Sequence, residues 1–196
     1  MDARSHGKKT GSLAFSFAAG LIALMALGQA LLPPAQARLL PPEAGTLAPS
    51  FTHARAEDWI NSVPLKLESL RGKVVLLDFW TFACWNCYRS FPWLNQVEAR
   101  LRERGLVVIG VHSPEFDYEK VRASIEKKVV QFGLTYPVMI DNNMSYWNAM
   151  GNRYWPAFYL IDRQGRLRAH YAGETHAGDA QAIAIERDIA VLINEE

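Results

Sequence analysis

The chain has 196 residues, 49% of them apolar, and its 21 basic and 20 acidic residues leave a formal net charge of +1. That length suits one globular domain plus an extra segment, and the near-neutral balance leaves no electrostatic footprint for nucleic acid. Charges of both signs are interspersed, so no polybasic patch points to strong binding at a membrane surface.

The amino end is not domain-like. Arg4, Lys8 and Lys9 form a short basic start, and Leu13 to Leu32 runs without a charge. "PPAQA" follows, in which Ala35-Gln36-Ala37 has the small-x-small form of a signal-peptidase site. The apolar run is long for a signal core and just long enough to span a bilayer. Residues 1–37 are therefore expected to be a cleaved signal peptide or a retained anchor with its basic end inside. Either exports the rest of the chain, to a compartment where disulfides persist. No polar face interrupts the run, which argues against a buried core helix. Residues 38–50, rich in Pro, Gly and Ala, read as a linker, and residues 51–196 as one domain.

Within the domain, "KVVLLDFW" (73–80) is short, apolar and β-rich, the pattern of a buried strand. Residues 86–104 read as a helix with Phe91, Leu94, Val97 and Leu101 on one face, stopped by Gly105. "LVVIGVHS" (106–113) is a second buried strand. Residues 117–133 carry Val121, Ile125, Val129 and Phe132 at helical spacing. "YPVMID" (136–141) is a strand and residues 144–151 a short helix. "PAFYLID" and "RLRAHYAG" flank "RQGR", a hairpin with Gly165 in its turn. Residues 180–193 close the chain as a helix with Ile185, Ile189 and Leu192 in line. The order β-α-β-α-β-α-β-β-α implies an α/β domain, a mostly parallel sheet covered on both faces, with antiparallel edge strands from the hairpin. Sites in such sheets lie beyond the carboxyl ends of strands. Cys84 and Cys87, the only cysteines in the chain, fall there, between the first apolar strand and its helix.

Three uses of this C-x-x-C pair compete. A structural staple closes a tiny loop and removes little unfolded-state entropy. Zinc wants three or four ligands, and there is no second Cys pair; a copper site would need His112 or His176 beside the two thiolates. A redox couple fits the context best. The first Cys sits at a helix start, where free N–H groups and the helix dipole stabilise a thiolate, and Cys87, one turn further in, is shielded and close. Asp78 is unusual on its residues alone, a carboxylate inside "VVLLDFW" that is expensive to bury charged. It is either satisfied by backbone donors or a proton relay for a buried thiol.

Taken together, "KVVLLDFWTFACWNCYRSFP", "VVIGVHSPEF", "YPVMIDNN" and "NRYWPAFYLIDRQG" resemble the thioredoxin superfamily, and within it the exported TlpA/ResA-like branch and the thioredoxin-like domain of DipZ proteins. The likeness covers residues 49–195. It implies a thioredoxin-like fold, a central mixed sheet flanked by helices, with a TlpA-type insertion in the stretch from Cys87 to Pro156. It also implies roles: Cys84 attacks, Cys87 resolves, and the two cycle through a redox-active disulfide. Pro156 matches the family's cis-proline facing the cysteines, although on its residues alone it reads as a trans proline at a strand start. Asp78 matches the buried acid beneath the site, and Pro92 the proline that bends the active-site helix. Glu115, in "HSPEF", is the candidate for an acidic residue near the cysteines; a solvated loop residue is the plain alternative. Trp85, Trp155 and Pro156 are candidates for the substrate groove, with Trp80 and Phe82 either rim or core.

The resemblance implies no cofactor and no metal. Its partners would be disulfide- or thiol-bearing exported proteins and a membrane electron donor of the CcdA/DsbD type, in a bacterial periplasm or another extracytoplasmic space, with cytochrome c maturation among the settings. The dipeptide Trp85-Asn86 between the cysteines is neither the Gly-Pro of thioredoxins nor the Glu-Pro of cytochrome-maturation members, which leaves the direction of electron flow open. Two other functions stay in view. A peroxiredoxin-type peroxidase is suggested by Thr81-Phe82-Ala83-Cys84, although Leu77 stands where that family's proline is expected. A copper-binding chaperone would use His112 or His176.

Overall fold

The computed structural model describes Met1 and residues 39–195. The expected signal or anchor, apart from Met1, lies outside the described residues. Among those described, no helix is long and apolar enough to cross a membrane.

Seven strands form one sheet: β1 (Thr46–Leu47), β2 (Trp59–Ile60), β3 (Val74–Trp80), β4 (Leu106–His112), β5 (Val138–Ile140), β6 (Ala157–Ile161) and β7 (Arg166–Ala172). Among the described residues four α-helices accompany them: α1 (Trp85–Leu101), α2 (Arg122–Gln131), α3 (Ser145–Ala149) and α4 (Ala180–Asn194). The strand order is β1-β7-β6-β3-β4-β5-β2. β3 is buried at all seven positions, which is why its sequence reads as a continuous apolar run. Its alternate residues serve two cores. Val74, Leu76 and Trp80 pack with Phe91, Leu94 and Val97 of α1 and Ile185 and Ile189 of α4. Val75, Leu77 and Phe79 pack on the opposite side with Tyr146 and Trp147 of α3.

The sheet is mixed, as the resemblance implied, and not mostly parallel, as the apolar pattern alone read: β3–β4 and β4–β5 are parallel, while β3–β6, β6–β7, β1–β7 and β2–β5 are antiparallel. The hairpin is not at an edge, because β6 is apolar and buried at all five positions and takes the place beside β3. The edges are the two-residue strands β1 and β2. The segment read as a linker is also built onto the domain from Leu39 onward. Leu40 N donates to Arg168 O (2.7 Å), β1 pairs with β7, and Ala48 N donates to Gly165 O (3.0 Å). The outer edge of β7 offers unpaired backbone groups, and this segment covers them.

The helix expected over 117–133 is split. A 3-10 turn, Asp117–Lys120, precedes α2, with Val121 in extended conformation between them. α1 runs into a 3-10 turn and ends at Gly105, whose φ of 98° is the left-handed conformation that a stop requires.

Candidate active site

The parallel register of β3 and β4 sets the site. Trp80 pairs with His112, and both strands end there. From Trp80 the chain crosses a short loop, Thr81–Ala83, and enters α1 through Cys84, the N-cap residue. Cys84 Sγ accepts a hydrogen bond from Cys87 N (3.2 Å), one of the N–H groups that a helix start leaves free. Cys84 and Cys87 are joined in a disulfide with their Cα atoms 5.3 Å apart. Cys84 is half-buried, whereas Cys87 is fully buried in the α1 core. The solvent-side sulfur is therefore the one at the helix start. Pro92 lies inside α1.

The antiparallel register places Ala157 beside Phe79, so Pro156, just before β6, arrives at the same end of the sheet as the cysteines. The Trp155–Pro156 peptide is cis, as the resemblance implied and the residues alone did not. Pro156 is buried. Trp155 is only partly exposed: its ring lies 4.2 Å from that of Trp147, and its Nε1 donates to Ser113 O (3.0 Å). It fastens the proline loop to the end of β4 as well as bordering the site.

Aromatic side chains surround the turn. Trp85 is 68% exposed, with its ring 6.4 Å from Tyr88. Phe116 and Tyr118 stack at 5.5 Å and present nearly parallel faces, and Phe82 lies 6.0 Å from Tyr118. Trp80 is fully buried and belongs to the core.

Beneath the turn lie buried polar groups. Asp78 faces the side of the sheet that Leu76 and Trp80 face, in the cluster that contains Cys87. Its neighbours across the sheet are Gly110 and Phe158, neither of which offers a charge or a side-chain donor. Burial alone pushes its carboxyl from 3.8 up to about 8, and Oδ2 has no hydrogen-bond partner. Gly110 makes the space here: a Cβ would stand 3.0 Å from Trp80 Nε1 and 3.3 Å from Tyr136 Cε2. His112 is fully buried, in T-shaped contact with the Trp80 ring (4.8 Å) and stacked on that of Phe82 (5.7 Å). Burial drives its pKa down to about 4, against a smaller upward pull from Glu119.

Glu115 is exposed, the solvated loop residue that was its plain alternative, and the buried acid of this loop is Glu119. The 3-10 turn after Phe116 folds the chain back, so that the carboxylate of Glu119, four residues after Glu115, turns inward. Its Oε1 accepts from Thr81 Oγ1 (2.5 Å) and Ala83 N (2.8 Å), and its Oε2 from Glu115 N (2.7 Å) and Phe116 N (2.9 Å). Glu119 takes the N–H of the N-cap Phe116, as the acid of a capping box does, but Phe116 offers no side-chain acceptor, so the S/T-x-x-E signature that would have flagged it is not in the sequence.

Neither histidine considered for copper stands open beside the thiols. His112 lies under Phe82, and His176 pairs with Glu174. Among the described residues there is no group of three or more His, Cys, Asp or Glu side chains placed to hold a metal ion.

A half-buried cysteine capping a helix, its buried partner one turn in, and a cis-proline at the same sheet end are the arrangement of the thioredoxin-like fold. The chain belongs to the AhpC/TSA family, whose model matches residues 44–170. Protein DipZ of Mycobacterium bovis is 45% identical over 119 residues, which are 59% of this chain and 17% of DipZ. The thiol-disulfide oxidoreductase ResA of Bacillus thuringiensis is 29% identical over 132 residues, 67% of this chain and 71% of ResA. Among solved structures, a candidate DsbE thiol:disulfide interchange protein from Chlorobium tepidum superposes with a TM-score of 0.66 at 29% identity, covering 76% of this chain and 97% of that one. The chain spans about a sixth of the length of DipZ.

Proposed function

We propose that the chain is an exported thiol–disulfide oxidoreductase that reduces disulfides of partner proteins through Cys84 and Cys87. The observation that carries this reading is the asymmetry of the pair: Cys84 is reachable and caps a helix, while Cys87 is buried one turn away. The Cys84 thiolate attacks a partner disulfide, forms a mixed disulfide and releases one partner thiolate. Cys87 then attacks Cys84 Sγ, releases the second partner thiolate and leaves the Cys84–Cys87 disulfide. Two electrons have passed to the partner, and a membrane donor of the CcdA/DsbD type would restore the dithiol. The names of ResA and DsbE support exchange chemistry. The basic start, the charge-free run and Ala35-Gln36-Ala37 support export, with the chain periplasmic or tethered to the membrane if the segment is retained.

Asp78 serves the second step in this reading. Cys87 must lose a proton in a dry setting, and Asp78 shares its cluster face. With a carboxyl at about 8, the acid is ionised in about one molecule in ten at pH 7. That ionised fraction is a base matched to a thiol of ordinary pKa, about 8.5. The exposed Trp85 and the Trp155–Pro156 loop would form the rim against which an extended partner segment lies.

Insulin reduction by the dithiol form tests the proposal against its rival. Turnover with insulin disulfides, and none with hydrogen peroxide beyond the rate of a free thiol, is expected. The family assignment and the Thr81-x-x-Cys84 spacing favour peroxide reduction as the second reading. Fast peroxide consumption without insulin reduction would establish it instead.

A further inference from the structure

Glu119 is 0% exposed and uses both carboxylate oxygens as double acceptors. All four donors are neutral groups, two from the loop that delivers Cys84 and two from the loop that leaves β4. A carboxyl group accepting at every position carries no proton of its own, so a full negative charge lies one residue behind Cys84, with no cation among its partners. Its field reaches the groups around the turn. After burial, Glu119 is the largest cause raising the Tyr88 phenol, and it pulls against the burial of His112.

Two opposed effects then act on Cys84. The helix start favours a thiolate, because Cys87 N points at Sγ. A fixed anion against the same turn disfavours it. Stabilising the thiolate stabilises the reduced couple, which makes a strong oxidant; opposing it makes a reductant. The charged and titratable groups around this turn are Glu119, Tyr118 and His112 from the β4 side, Tyr88 and Arg89 from α1, Asp78 from β3, and Lys128 of α2, whose Nζ lies 5.9 Å from the Tyr88 ring. Arg89 is drawn to Glu174 (3.1 Å) and does not neutralise Glu119. The Trp85-Asn86 dipeptide left the direction of electron flow open, and Glu119 supplies a physical bias.

We propose that Glu119 is a positioning residue that holds the Cys84 turn against the β4 loop and biases the Cys84–Cys87 couple toward the disulfide, making the protein a reductant. This rests on Cys84 being the attacking thiol. The test uses the full chain and two variants. Cys84 thiol pKa is read from the pH dependence of iodoacetamide labelling, with the labelled cysteine mapped by mass, and the couple is equilibrated with glutathione. Glu119→Gln should lower the thiol pKa by about one unit and, with the equilibrium read at a pH above the thiol pKa of both proteins, shift the constant about tenfold toward the dithiol, about 30 mV for a two-electron couple. Thr81→Val removes one donor and keeps the charge, which leaves the anion less compensated, so it should raise the thiol pKa. Wild-type values in Glu119→Gln, or an unchanged or lower thiol pKa in Thr81→Val, would overturn the proposal. Should Glu119→Gln fail to fold, Thr81→Val decides alone: a rise supports the proposal, while no change or a fall overturns it. Labelling first at Cys87 would instead overturn the assignment of the attacking thiol, whatever the equilibrium constant does.

Discussion

Replacing Asp78 by Asn removes the titrating group and keeps the shape. Burial raises the folded-state carboxyl from 3.8 to about 8. Between those values the folded chain holds a proton that the unfolded chain has released, so wild-type stability falls as pH rises across that window. At about 1.4 kcal/mol per pH unit, four units amount to about 5–6 kcal/mol. That is a ceiling, because water entry on ionisation relaxes the cost. His112 acts with the opposite sign. Its pKa is lowered to about 4, so stability is lost as pH falls from about 6.5 to about 4. In the wild type the two slopes oppose each other below about pH 6.5. Both proteins keep His112, so its contribution cancels in the difference between them. Urea unfolding of the oxidised wild type and Asp78→Asn, from pH 4 to pH 9, measures that difference. The stability gap, variant minus wild type, should grow toward pH 8 and then level. At pH 4 the variant should have no advantage, since an amide without partners is also costly to bury. A gap that is flat with pH, or that shrinks as pH rises, would refute the claim that Asp78 is buried as a neutral acid.

Three other substitutions probe separate parts of the account. Trp85→Ala should lower kcat/KM for insulin reduction about tenfold, the loss expected of an aromatic anchor at an interface, while the melting temperature stays near wild type because the ring is exposed. Gly110→Ala places a Cβ 3.0 Å from Trp80 Nε1; a cost of about 1–3 kcal/mol from overpacking should appear in chemical denaturation, together with a change in tryptophan fluorescence. Arg168→Ala strips the buried Asp162 of its cation at 3.0 Å and removes the Nε donor to Leu40 O. Thermal melting should report a loss of about 3–5 kcal/mol, as for a broken buried pair.

What was legible in the sequence was whatever repeats over many residues. β3, β4 and β6 announce themselves because central strands are apolar on both faces, and α1 and α4 because one face of each is apolar at helical spacing. The cysteines were legible because strand, turn and helix follow one another there without interruption. What was missed is short or depends on distant contacts. β1 and β2 are two residues each and exist only because a sheet edge offers them partners. Glu115 was read as the acid near the site in a loop that carries three carboxylates, Glu115, Asp117 and Glu119. A single 3-10 turn, whose direction no periodicity encodes, decided among them. His112 has no apolar signature of its own and is buried by its register with Trp80 and the cover of Phe82. Pro156 was read as cis only through family likeness, since one residue before a strand says nothing about its peptide isomer.

The central claim is that Cys84 attacks and Cys87 resolves. Reduced Cys87→Ser and Cys84→Ser chains, each mixed with excess oxidised insulin and analysed by intact mass, test it most directly. The account predicts a long-lived adduct through Cys84 in Cys87→Ser and almost none in Cys84→Ser, because the remaining thiol there is buried. Equal trapping by the two variants, or a preference for the adduct through Cys87, would contradict it.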